Sequence, residues 1–386
     1  MTVTSLPCRD ADRAFRRGGH RVSNGVMKAT SRLLLSPLGA HVLLALSLLA
    51  LSLLALSLLA GCGDYNPEDL VFRGAIPRAE HVMLAPPGVD PETARAASAN
   101  ELSQALSACE GGEGERDLRC VAQGIANSLN GLSIGVLSNV DLVVQRPPSA
   151  REPGRRVWGP WSNAREGHDY RFEMERVAPG EFSFCVHARP IAQSERPRRT
   201  LTCDDEVDES GFIRVVTGVL SPGESEGEEA QTGAGSLVIS LDAVGALRDQ
   251  DIGGTLTIVF DHTGAEHDIT VSLDAIRAPR FPRDATYRYH RASDGAGTFR
   301  FRAEGERHRG AAPEPQLLEQ LDITAQWRQD RAGRADAVYS GGNLAPLELH
   351  ATQCWDEELC EVYSDEPSQG SEGDLGACAF EQPLGD

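Results

Sequence analysis

The sequence predicts a mainly β fold: an antiparallel β-sandwich or an up-and-down barrel of about eleven strands, preceded by an αα-hairpin. Three observations carry that expectation. Ahead of Pro147-Pro148 the apolar residues recur at helical spacing, and beyond it they alternate with polar ones, the period of a strand. The alternating runs are short, and turns bearing Gly, Asp or Pro separate them. Each run has one apolar and one wet face, as an antiparallel sheet covered on one side requires.

The elements follow in order. Residues 62–90 are rich in Pro and Gly without periodicity and read as a tether. Asp90-Pro91-Glu92 supplies an N-cap, a first-turn proline and a first-turn acid, so a helix is expected to start there. Ala94, Ala97, Leu102, Ala105, Leu106 and Cys109 follow at helical spacing, and Glu110 to Gly114 breaks the run. A second helix is expected from Asp117, with Leu118, Val121, Ala122, Ile125 and Leu129 on one face and a stop at Asn130-Gly131. The helical hairpin thus occupies residues 91–145, and its apolar stripe is read as packing against the β body.

Strands are expected around Tyr170-Phe172-Met174, Phe182-Phe184-Val186, Phe212 to Leu220, Leu237-Ile239-Leu241, Leu256-Ile258-Phe260 and Ile269-Val271-Leu273. Five more follow at Tyr287-Tyr289, Phe299-Phe301, Leu321 to Trp327, Ala335 to Tyr339 and Leu347-Leu349-Ala351. Ser221 to Gly235 reads as one long mobile loop. The β domain spans 155–353, and 354–386 is an acidic, disulfide-tied tail.

The amino end carries an address. Val42 to Ala60 is almost wholly apolar, a basic segment containing Lys28 and Arg32 precedes it, and Leu59-Ala60-Gly61-Cys62 closes it. That ending resembles the lipobox of bacterial lipoprotein signal peptides, which implies cleavage before Cys62 and acylation of its thiol. Residues 27–61 are then the signal peptide. An uncleaved transmembrane helix is the alternative, since the run is long enough to span a bilayer. Against it, no basic stop-transfer cluster follows, and the extra length comes from Ala-Leu-Ser-Leu-Leu occurring three times in tandem. Lys28 is the only lysine of the chain, so Met27-Lys28 reads as the true start. Residues 1–26 read as a wrongly assigned start or a disordered extension.

Residues 62–386 hold 30 arginines against 55 acids, a net charge of −25. Such an excess argues against nucleic acid or an anionic membrane surface as the main partner. Seven cysteines follow Cys62, and neither Cys-x-x-Cys nor a nearby His pair at zinc spacing is present. Structural disulfides of an oxidising compartment are expected. The assignment is Cys109–Cys120 across the helical hairpin, Cys185–Cys203 around a Pro-bearing loop, and Cys354–Cys378, with Cys360 left free. Asp356-Glu357-Glu358 reads as a helical turn, which would carry Cys360 about 9 Å along the axis from Cys354, beyond bridging distance.

Four constellations bear on chemistry. Asp261 to Asp268 places His262, His267 and three acids in a hairpin loop and could offer a metal two imidazoles and a carboxylate. No fourth ligand is identifiable, however, and polar residues gather in turns anyway. Asp330 to Asp336 resembles the calcium loop of FG-GAP propeller repeats, but Arg331 and Ala332 stand where oxygen ligands belong. Asp204 to Glu209 is acidic, with Gly211 misplaced for an EF-hand turn. Between Arg277 and Arg309 lie nine arginines and four acids. Parity puts Arg288, His290, Arg300 and Arg302 on one face and Tyr287, Tyr289, Phe299 and Phe301 on the other. Single-stranded nucleic acid needs cations and aromatics in one groove, so that partner is disfavoured. Phosphorylated glycans are the weaker reading of this face, and a surface offset by acidic neighbours such as the tail is the stronger.

Val157-Trp158-Gly159-Pro160-Trp161, the run Gly333 to Gly342 and Cys354-Trp355-Asp356 resemble marks of a group of uncharacterised myxobacterial lipoproteins. The likeness covers roughly residues 155–380 and implies lipidation and a β-rich body. No Gly-x-Ser-x-Gly elbow, His-Glu-x-x-His, Walker loop or Rossmann glycine fingerprint occurs, so no catalytic residue, metal or cofactor is assigned. The expected function is that of a cell-envelope protein, anchored through lipid on Cys62, at the outer membrane, with a structural or binding role toward an envelope protein or glycan. The alternatives are a carrier of a hydrophobic ligand inside the β domain, marked by a cavity of at least ~300 Å³, and a hydrolase.

Overall fold

The computed structural model describes residues 66–77, 82–87, 117–163, 167–191, 203, 211–223, 233–277, 282–305, 318–367 and 370–385. The chain divides into two compact units, Met1–Pro67 and Glu68–Asp386, and nearly all described residues belong to the second. The expected lipobox, the first arm of the helical hairpin and the acidic loop from Asp204 lie outside the described residues.

The fold is mainly β. Fifteen antiparallel strands form one sheet in which every strand pairs only with its sequence neighbours. They are β1 Ala150–Glu152, β2 Arg155–Asn163, β3 His168–Ala178, β4 Glu181–Pro190, β5 Ile213–Pro222, β6 Gly233–Ser240, β7 Thr255–His262 and β8 His267–Asp274. The others are β9 Asp284–Arg291, β10 Gly297–Gly305, β11 Glu319–Trp327, β12 Gly333–Gly341, β13 Leu349–Trp355, β14 Glu361–Glu366 and β15 Gly370–Gly373. The connectivity is up-and-down, and with β1 and β15 as its edges the sheet is open. All eleven expected strands are present as β3 to β13. The four additional strands are β1, β2, β14 and β15, so the sheet extends beyond 155–353 and into the acidic tail.

Helix α1 spans Pro67–Gly74, α2 Leu118–Val144 and α3 Leu241–Arg248. Asp117 caps α2, its Oδ1 accepting the Cys120 N–H at 2.9 Å. The helix then runs through Asn130-Gly131, where the sequence suggested a stop. Asn130 is fully buried, and its side chain serves another segment: Oδ1 accepts the Leu84 N–H and Nδ2 donates to the Leu84 carbonyl, both at 2.7 Å. Leu137, Val140 and Val144 continue the buried stripe beyond it.

The two ends of α2 locate it on the sheet. The backbone N–H of Arg119 donates to Gln353 Oε1 on β13, and Trp158 Nε1 on β2 donates to the Arg146 carbonyl just past the helix. Eleven strand steps separate β2 from β13, about 53 Å in a flat sheet, whereas a helix of this length spans about 40 Å. The sheet therefore curves over α2. One apolar cluster joins Ile125, Ala126 and Leu129 of the helix to Phe172, Phe184, Ile258, Val271, Tyr287, Phe301, Ile323 and Trp355 of the strands. Residues 68–77 and 82–87 belong to the same interior, contrary to the expected tether. Phe72 and Leu84 are buried, Phe72 packs edge-on to Phe182 at 5.3 Å, and the Tyr289 hydroxyl donates to the Ala85 carbonyl.

Four glycines make room for the aromatic residues directly opposite them in the ladders: Gly218 for Phe184, Gly235 for Phe260, Gly297 for Trp327 and Gly333 for Trp355. A Cβ at any of them would collide with the facing ring. Trp327 and Trp355 repeat one corner: each donates its indole N–H to the carbonyl two residues before its glycine, Gly295 and Arg331 respectively.

A buried ion cluster ties α1 to the first strands. Arg156 Nε donates to Asp69 Oδ1 at 2.6 Å and Nη2 to Glu68 Oε2 at 2.5 Å, while Nη1 takes the carbonyls of Glu152 and Arg155. Arg151 completes the shell of Asp69 at 3.0 Å. Burial pushes the Asp69 carboxyl up, but Arg156 and Arg151 outweigh it and hold it below its ordinary 3.8.

Cys185–Cys203 and Cys354–Cys378 are bridged as expected, with Cα atoms 5.5 and 5.4 Å apart. Cys120 is disulfide-bonded too; its expected partner Cys109 lies outside the described residues. Cys360 is also disulfide-bonded, which corrects the expectation that it is free. Asp356 to Cys360 is a hairpin turn between β13 and β14 rather than a helical turn, with the Asp356 N–H on the Cys360 carbonyl. The expected loop Ser221–Gly235 is shorter, since β5 takes Ser221-Pro222 and β6 takes Gly233 to Gly235.

Two predictions follow from this packing. Asp69→Ala leaves a buried guanidinium without its counter-ion and should cost about 3–5 kcal/mol. Arg277→Ala, which breaks only an exposed pair with Asp242, should cost less than about 1 kcal/mol. Because the folded pKa of Asp69 is depressed, its contribution is complete above about pH 3.8 and is lost as pH falls through the folded value. Urea melts of both variants between pH 7 and pH 3 check this; a gap between wild type and Asp69→Ala that does not narrow in acid would contradict it. Second, iodoacetamide under denaturing, non-reducing conditions should leave Cys360 unmodified, and peptide mapping should return Cys354 joined to Cys378.

Candidate functional site

The inward faces of the strands are committed to the core, so polar chemistry is confined to the outer face and the strand ends. The parity expected for the arginine-rich hairpin holds. In the β9–β10 ladder Phe299 faces Tyr289 and Phe301 faces Tyr287 on the inner side, while Arg300 faces Arg288 on the outer. Arg300 also reaches Asp322 at 3.2 Å. The tail lies elsewhere and contributes backbone rather than charge. Gln326 donates to the Gln382 carbonyl, Arg328 to that of Ala379, and Arg334 to those of Phe380 and Glu381, with Arg328 also over the Phe380 ring.

Over β3 and β4 the outer face is unusually covered. Glu173, Asp169, Arg189 and His187 point outward by parity yet are buried. Cys203 is bridged to Cys185, accepts a hydrogen bond from Arg214 and so lies on this face, as does Phe212, whose ring sits 4.3 Å from the Arg189 guanidinium. Asp169 takes Arg189 at 3.2 Å and the Ser162 hydroxyl at 2.6 Å, and Glu173 takes Arg155 at 2.7 Å. These carboxylates are engaged structurally.

The end of the β7–β8 hairpin is different. His262 and His267 stack with ring centroids 4.8 Å apart, and His267 is buried against the edge of Tyr289. Their pairing is therefore ring packing at the lip of the core, and among the described residues the three-ligand group is formed without them. Instead Asp268 stands directly opposite His290 of β9, with Oδ1 2.9 Å from His290 Nδ1. Glu266 joins them, so that one ligand atom from each of Glu266, Asp268 and His290 lies within 4.8 Å of the other two. On the far side Asp261 of β7 opposes Asp268. The Thr263 hydroxyl and amide, outweighing burial, hold the Asp261 carboxyl below its ordinary range. Sequence reasoning missed His290 because its place depends on the β8–β9 register.

The loop from Asp330 to Asp336 closes as a structural turn. Asp330 Oδ1 accepts the Ala332 N–H, and Asp336 is taken by the Arg334 guanidinium and the Thr352 hydroxyl. Neither offers calcium a free carboxylate set. The pocket between the end of α1 and β5–β7, lined by Ile76, Leu220, Pro222, Gly233 and Phe260 among others, has a volume of about 10 Å³. That is room for about one water molecule. No helix among the described residues is long and apolar enough to cross a membrane. No protein-family model matches the chain, and no curated protein or solved structure matches it.

Proposed function

We propose that this chain is a lipid-anchored protein of the bacterial cell envelope that acts through its outer surface, as a structural or binding component. The observation that carries the reading is Cys62 at the close of the apolar run, in the order Leu59-Ala60-Gly61-Cys62. The acidic body and the disulfides fit an exported domain held by lipid. The resemblance to uncharacterised myxobacterial lipoproteins implies the same lipidation, and the outer membrane is the proposed site.

A binding surface is favoured over a carrier for a geometric reason. A hydrophobic cargo of drug size needs several hundred Å³, and the inner face between α2 and the strands is filled by Phe172, Phe184, Tyr287, Phe301 and Trp327. A hydrolase would need its histidine and carboxylate in a cleft, whereas Asp268 and His290 stand on an open strand face with side chains 58% and 39% exposed.

Cys62→Ser in the native host should abolish palmitate incorporation and leave uncleaved precursor. Labelling equal to wild type would refute the anchor. Intact-mass spectrometry of the purified wild type should show the polypeptide with its acyl groups and no further small molecule; a stoichiometric co-purifying lipid would favour the carrier.

A further inference from the structure

We propose that Glu266, Asp268 and His290 form a binding site for a transition-metal dication of the zinc class, independent of the lipid anchor. One imidazole nitrogen and two carboxylate oxygens are the donor types that zinc accepts. Calcium wants six to eight oxygens and is not served by this set. A tetrahedral ion with bonds of about 2.0–2.2 Å holds its donors roughly 3.3 Å apart. The pair Asp268–His290 is already at 2.9 Å, and all three donors lie within 4.8 Å, so rotamer changes in exposed side chains suffice. Water completes the shell.

Two further features favour the site. Asp268 and His290 sit on adjacent strands whose register is locked by buried neighbours, Ile269 beside the first and Tyr289 beside the second. Donors held on strands keep their spacing better than donors on loops. In addition, Asp268 has a second carboxylate, Asp261, directly opposite it on β7. Like charges facing each other across a ladder are destabilising, and a dication removes that repulsion. Arg288 and Arg291, within two residues of His290, oppose the ion, so affinity in the micromolar range is expected rather than tighter binding.

The test is calorimetric titration of zinc alone into the full-length purified protein after chelator treatment. One site per chain is expected, weakened at least about tenfold by His290→Ala and by Asp268→Asn separately. His350→Ala is the control, because His350 pairs with Glu348 on another part of the surface and its loss should leave the affinity unchanged. All three positions are solvent-accessible, so melting temperatures in chelator should match wild type. No zinc binding up to millimolar concentration would overturn the proposal. So would binding that survives His290→Ala, including binding lost only in His262→Ala.

Discussion

A sheet that is apolar on one face must bury that face, and among the described residues helix α2 and the stretches 68–77 and 82–87 share that task. Helix α2 lies across the strands with its ends fastened near opposite ends of the sheet, at Gln353 and at Trp158. Its length is what forces the sheet to bend, because the strands between those anchors would otherwise spread wider than the helix is long. The stretch 82–87 fills in beside it through Asn130, whose side chain satisfies both backbone groups of Leu84. Leaving either group buried and unpaired would cost about as much as several ordinary hydrogen bonds contribute.

Curvature brings the inner faces of neighbouring strands close, and large rings fit there only where the facing residue is small. The four glycine–aromatic pairs answer that demand, as aromatic cover of a strand glycine does generally. The indole corner repeated at Trp327 and Trp355 adds a hydrogen bond to the packing, so the ring is fixed in direction as well as in depth. At Arg156 charge enters the interior with an acceptor for each guanidinium nitrogen.

The strands from β3 to β13 were legible because each alternates cleanly, and their turns carry Gly, Asp or Pro. The edges were not. In β2 the register shifts between Trp158 and Trp161 around Gly159, whose φ of 94° suits glycine alone, so both tryptophans lose the parity that marks a strand. β1, β14 and β15 are short, polar or acidic, and only pairing with a neighbour makes them strands. Asn130-Gly131 reads as a helix stop because the sequence does not say that the amide is needed elsewhere. Phe72 and Leu84 sit among prolines and glycines, and nothing local announces that they are core. The metal-ligating trio was half visible: the acids stood out, and the ladder chose His290 over the two histidines beside them.

Neighbour-only pairing has a consequence for the order in which the fold can be made. Every ladder joins strands consecutive in the chain, so most close a short loop, the condition associated with rapid assembly. Helix α2 precedes all fifteen strands. In a chain delivered amino end first, the surface that the strands must cover exists before the first strand arrives. Hairpins can then be laid on it one after another, from Trp158 at one end of the helix toward Gln353 at the other. The contact of Arg119 with β13 is thus a late seam to close, although the residue that makes it precedes every strand.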